Sequence, residues 1–146
     1  MTNLRLFFAL AALENKLVIG ADVSNALAEA HAPAQVYFMR IDVQFCDWWF
    51  SKGQLPIPQG HVVPILKNLQ IYPEAPCQWS KHIGTILHQF HFVPTVHTPC
   101  LYCATFAGED VLFLCQVDDF EIATNNEKFY TNICGSLDAT LIVPMK

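Results

Sequence analysis

The sequence predicts a single mixed α+β domain spanning residues 1–146. Three observations predict it. Trp79, Ile83, Ile86, Leu87 and Phe90 recur on one face of a helix. Two apolar, strand-like runs at 100–106 and 111–117 are separated by Ala107-Gly108-Glu109-Asp110, a turn of hairpin length. Finally, 146 residues suffice for one sizeable core, since a chain of that size buries roughly two thirds of its unfolded surface. Apolar residues make up 53% and charged residues only 14%, where soluble domains carry about 25% charged. This balance excludes intrinsic disorder. It also leaves more apolar side chains than one small sphere hides, as in a piece of a larger protein.

Taken in chain order, Thr2 or Asn3 is placed to cap a helix whose apolar positions (Leu4, Phe7, Phe8, Leu10, Ala11) nearly encircle it, the pattern of a core helix. Leu17, Val18 and Ile19 read as a short buried strand running through Gly20 and Ala21, so Asp22 stands at a strand end. Residues 24–30 are alanine-rich and read as helical until Pro33, and 35–41 read as a strand from their β-branched and aromatic content. Residues 42–60 read as a loop anchored onto the sheet by Trp48, Trp49 and Phe50, because Gly53, Pro56, Pro58 and Gly60 break any longer element. Residues 61–66 suit an edge strand, as Pro64 cannot donate to a ladder. Pro73 and Pro76 open the amphipathic helix, where a missing N–H costs nothing. Beyond the hairpin, whose second strand is apolar on both faces and therefore central, Asp118-Asp119 ends the run. Asn125 caps a short helix with Phe129, Tyr130 and Ile133 on one side and Gly135 past its end; 141–143 starts a last strand.

The net charge of −5 excludes a self-sufficient nucleic-acid binder, which needs a basic stripe. Six cysteines (Cys46, Cys77, Cys100, Cys103, Cys115, Cys134) lie largely within apolar runs, the pattern of reduced, buried thiols in an intracellular rather than a secreted protein. Arg5 followed by an apolar stretch to Leu13 has the outline of a short signal segment. Glu14 and Lys16 interrupt it and the apolar pattern resumes at Leu17, so a helix feeding a strand accounts for it better, and no run reaches the ~18 residues of a membrane span.

Chemistry is concentrated in acids at strand ends. An isolated buried carboxylate is strongly disfavoured, so Asp22, Asp118 and Asp119 must meet solvent or cations. Solvated turn residues are the plainer reading. The sharper one is a pair of Mg²⁺ ions about 3.5 to 4 Å apart, which clamp the attacking and leaving oxygens in phosphoryl transfer. Successive strand residues face opposite ways, so Asp118 and Asp119 share a site only where the chain turns.

Four segments add a resemblance: A-D-V-S-N-A from Ala21, L-Q-I-Y-P-E-A-P-C-Q-W from Leu69, H-T-P-C-L-Y from His97 and Q-V-D-D-F from Gln116. In this order and spacing, over nearly the whole chain, they resemble the reverse transcriptase of copia-type retrotransposons. The resemblance implies a polymerase palm: an antiparallel sheet with helices packed on one face, the basic fingers and the thumb largely missing. It implies Asp22, Asp118 and Asp119 as catalytic ligands of two Mg²⁺ ions, with Mn²⁺ as a substitute. It also implies an RNA or DNA template-primer and deoxynucleotides as substrates, and the remainder of a retroelement polyprotein as partner. The resemblance implies that Leu27, Gln70 and Ile71 fall near the nucleotide and template. The family usually has an aromatic residue at Leu27, a glycine at Ile71 and an arginine at Cys77. These departures bear on ribose discrimination, backbone approach and a cationic contact. They define the alternative expectation, a retroelement remnant with a palm-like fold and no catalysis.

Other constellations read more simply. His88, His91, His97, Cys100 and Cys103 are zinc-type ligands close in sequence, but Cys100 and Cys103 point to opposite faces of a strand. Cys134-Gly135-Ser136 reads as a helix end rather than a nucleophile elbow. Trp48, Trp49 and Phe50 lack the interleaved Lys or Arg of a base-stacking surface. The pattern assigns no role to His61 or His82.

Overall fold

A computed structural model describes residues 2–30, 35–70 and 72–141. Helix α1 (Thr2–Leu13) leads into strand β1 (Leu17–Asp22). Asn15 is left-handed (φ 51°), with Lys16 N–H bonding Ala11 O and Asn15 N–H bonding Ala12 O, the paired bonds that close a helix C-terminus. Thr2 and Asn3 both lie within α1, and the Asn3 amide donates to Cys100 Sγ at 3.1 Å instead of capping. The helix is not encircled: Phe7 and Ala11 are buried, while Leu6, Phe8 and Leu13 are exposed. A single apolar stripe meets the sheet.

One turn of helix, α2 (Ala26–Glu29), follows Asn25 and packs against a later helix through Ala26. Strands β2 (Phe38–Arg40) and β3 (Val62–Pro64) form a separate two-stranded antiparallel ladder with Met39 opposite Val63, so Pro64 does sit on an edge. Between them the expected loop contains helix α3 (Val43–Ser51). Asp42 starts it, its carboxylate accepting from Phe45 N–H at 2.6 Å. The aromatic residues do not anchor this segment onto the main sheet. Phe45, Trp48 and Trp49 pack on one another, and Trp49 Nε1 donates to Leu55 O, tying α3 to the chain that follows.

Helix α4 (Ala75–Gln89) is the amphipathic helix that the spacing predicts, with Pro76 in its first turn and Trp79, Ile83, Ile86 and Leu87 buried. Strands β4 (Val93–Pro94), β5 (Leu101–Phe106), β6 (Glu109–Gln116) and β7 (Asp119–Thr124) then form a meander. β1 joins at β7, giving one antiparallel sheet in the order β1-β7-β6-β5-β4 with β6 in the middle. Strand β7 is absent from the sequence expectation, and β1 is a half-exposed edge rather than a buried strand. The first hairpin turns on Ala107-Gly108 alone, both at positive φ, so Glu109 and Asp110 belong to β6. Helix α5 (Glu127–Thr140) is capped by Asn126, one residue later than expected, through Phe129 N–H. It continues through Gly135 because Ile133 and Leu137 extend its buried stripe. Leu141 ends it, and residues 142 and 143 lie outside the described residues.

Both faces of the sheet are covered, which corrects the expectation of helices on one face. On one side α4 and α5 bury Trp79, Ile83, Leu87, Phe92, Phe113 and Phe120; on the other α1 packs Phe7 and Ala11 over Leu101, Leu112, Leu114 and Ala123. The alternation along β6 explains its two apolar faces: Val111, Phe113 and Cys115 serve the first layer, Leu112 and Leu114 the second. All six cysteines are free, and Cys115 alone of the six is buried. Among the described residues no helix is long and apolar enough to cross a membrane.

Candidate functional site

β1 and β7 bring two of the three predicted acids together. Asp22 and Asp119 are direct partners in the ladder. Val23 N–H donates to Asp118 O at 2.8 Å, which makes 23 and 118 a hydrogen-bonded pair and leaves 22 and 119 in the closer, non-hydrogen-bonded position. Their side chains therefore leave the same face of the sheet, the face that α1 covers further along. Gly20 and Glu121 are the next partners on that face. Glu121 lies over the glycine, where an added Cβ would stand 3.3 Å from Oε2. The result is an open depression of about 290 Å³ lined by Gly20, Ala21, Asp22, Asp119, Phe120 and Glu121.

Burial, and then the neighbouring Asp119, push the Glu121 carboxyl above its usual value. Glu121 is the acid that sequence reasoning missed. The signal was available, since period-two alternation through an assigned β7 places it beside Asp119. None of Asp22, Asp119 and Glu121 forms an ion pair among the described residues.

Asp118 stands apart. It occupies the two-residue turn between β6 and β7, exposed, and does not line the depression. Its carbonyl belongs to the β1 ladder, and its charge acts on Cys115, a residue of the opposite, α4-facing layer. Val117, before it, holds φ 57°, a left-handed conformation that a β-branched residue rarely adopts.

No protein-family model, curated protein or solved structure matches the chain. Among the described residues, no group of three or more His, Cys, Asp or Glu side chains is arranged to hold a metal ion. Zinc prefers such a closed set. Mg²⁺ does not require one, for it keeps several waters and binds through one or two carboxylates plus substrate phosphates. Two facing carboxylates without a cationic partner thus fit Mg²⁺ in donor type and number.

Leu27 and Gln70 line one pocket of about 380 Å³ with Asn25, Ala28, Asn68 and Leu69, so the fold gathers these two expected nucleotide-proximal residues. Ile71 lies outside the described residues, and Cys77 is exposed in the first turn of α4. A larger cavity, about 610 Å³, opens between α3 and the β2–β3 ladder, lined by Met39, Phe45, Trp49, Ile57 and Val63 among others. The acid pair is absent from it. Of the His/Cys group, His88 lies in the last turn of α4, His91 follows at φ 63°, and the exposed Cys103 directs its thiol at Val93 O. Cys134, Gly135 and Ser136 lie inside α5 rather than at its end.

Proposed function

We propose that the chain is the palm portion of a copia-type reverse transcriptase, in which Asp22 and Asp119, joined by Asp118 from the turn, hold divalent ions for nucleotidyl transfer. The observation that carries the reading is the Asp22–Asp119 pairing: two like charges face each other across adjacent strands with no cation from the described residues between them. Such an arrangement is unfavourable in isolation and is relieved by a divalent ion. The four motif segments supply the substrate class, a primer terminus, a template of RNA or DNA and a deoxynucleotide.

In this reading the primer 3′-oxygen forms a bond to the α-phosphorus, the α–β phosphoanhydride bond breaks, and pyrophosphate leaves; the hydroxyl proton passes to solvent. Bound Mg²⁺ or Mn²⁺ neutralises charge that develops on the phosphate oxygens. The protein contributes position. Asp22 and Asp119 would hold the ions at the end of the β1–β7 ladder, and Leu27 and Gln70, which share a pocket, would approach the incoming nucleotide. With a net charge of −5, the chain needs basic surface from the rest of a polyprotein to grip template and primer.

Primer extension with Mg²⁺ or Mn²⁺, run beside Asp119→Asn and Asp118→Asn, tests this. Extension that both substitutions abolish supports the polymerase. A second reading, a folded remnant without catalysis, draws on the position of Asp118 outside the acid depression. Absence of any aspartate-dependent extension leaves that reading alone.

A further inference from the structure

The turn that carries the acids is strained at one residue and tied down at that same residue. Val117 is left-handed and partly exposed, yet its carbonyl is turned into the protein, where it accepts from Trp79 Nε1 at 2.5 Å. Trp79 is 1% exposed on α4. Its ring also lies parallel to Phe120, with centroids 6.3 Å apart and planes within 5°, and Phe120 packs in turn on Phe113 of β6. One side chain therefore holds the turn on both sides of Asp118 and Asp119: the carbonyl before them by a hydrogen bond, the ring after them by stacking.

A buried indole needs some acceptor, and core filling alone accounts for the ring. The choice of acceptor is what core filling leaves unexplained. A valine at positive φ persists only where its surroundings over-determine it. The hydrogen bond from Trp79, beside a longer one from the Cys115 thiol to the same carbonyl at 3.9 Å, supplies that constraint, because rotating the Val117 peptide to an ordinary conformation would leave the buried indole N–H unpaired.

We infer that Trp79 is a positioning residue, which locks the Val117–Asp118 turn and thereby the register that sets Asp119 opposite Asp22. Its consequence for ion binding rests on the proposed reading of the acids; its effect on the turn does not.

The test is a cycle of Trp79→Phe, Val117→Gly and the double variant, read in two ways. Exchange of the Val23 amide, which bonds Asp118 O, reports the turn. Mn²⁺ titration followed by electron paramagnetic resonance reports the acids. Trp79→Phe is expected to speed Val23 exchange on the order of tenfold, and to weaken Mn²⁺ binding about tenfold, as loss of a supporting contact does. Val117→Gly alone leaves both readouts near wild type. The double variant regains both, since glycine holds positive φ without a clamp. Should Trp79→Phe fail to fold, benzothienylalanine at position 79 keeps the ring shape, removes the N–H and is expected to give the same losses. Unchanged Val23 exchange in the N–H-deficient proteins, or no recovery in the double variant, overturns the inference. Wild-type protein showing no Mn²⁺ binding that Asp119→Asn removes sinks the ion-site reading, while the exchange cycle still decides the role of Trp79.

Discussion

Replacing Asp119 by Asn is expected to make the protein more stable without divalent ions and less stable, relative to wild type, with them. Asp119 and Asp22 face each other in the closer kind of antiparallel pair, where Cα atoms lie about 4.5 Å apart. Two unit charges about 5 Å apart repel by about 0.8 kcal/mol in bulk water and about 3 kcal/mol near a protein surface of lower effective dielectric. Asp119 is exposed and Asp22 half-buried, so the lower end applies, in line with the range of about 0.2–1 kcal/mol for cross-strand pairs. Asparagine is nearly isosteric and removes that repulsion, so a gain of about 0.5–1 kcal/mol is expected in EDTA. With Mg²⁺ at about ten times its dissociation constant, wild type gains about 1.4 kcal/mol and the variant gains nothing, which reverses the order. Urea unfolding followed by tryptophan fluorescence, with EDTA and with Mg²⁺, measures both differences. A variant less stable than wild type in EDTA, or one that gains equally from Mg²⁺, refutes the reasoning.

Three further outcomes follow from the packing. Burial pushes the Cys115 thiol from its ordinary range up to about 12; the unfolded chain therefore loses this proton first. Stability is full below pH 9 and falls as pH rises from 9 towards 12, by up to about 4 kcal/mol; Cys115→Ala, measured by denaturation across that window, is expected to flatten the slope. Asp42→Ala removes the α3 cap and should cost about 1 kcal/mol, with circular dichroism losing roughly one short helix and the main transition unchanged. Phe7→Ala, at a side chain with no exposure, should cost about 3–5 kcal/mol; thermal melting tests whether α1 is integral to the core.

What the sequence shows best is the stretch where local pattern and tertiary demand agree. The stripe from Trp79 to Leu87 and the apolar run of β6 emerge as expected, because a buried helix face and a central strand leave little choice of residue. β7 is less legible. Its Phe120, Ile122 and Ala123 are buried, but the acids ahead of it look like an end rather than a tight turn, and Val117 carries none of the usual signals for positive φ. α3 is hidden by its own exposure: with no buried residue it has no core-facing stripe, and only Asp42 announces it. The pairing of Asp22 with Asp119 needs β7, which the sequence expectation lacks, and the separation of Asp118 from them depends on the shape of one turn. Glu121 escapes notice for the same reason as β7.

The order in which the ladder closes matters for what the acids can do. β4 to β7 succeed one another along the chain, while β1 lies far before them in sequence and, among the described residues, has only β7 as a neighbour. Bringing such distant segments together carries the largest loop-closure cost. Half of the acid pair therefore rides on an edge strand whose pairing carries that closure cost. An amide-exchange or protease experiment that frees β1 alone would disperse the two carboxylates and leave the meander standing, so the integrity of this corner gauges completion of the whole fold.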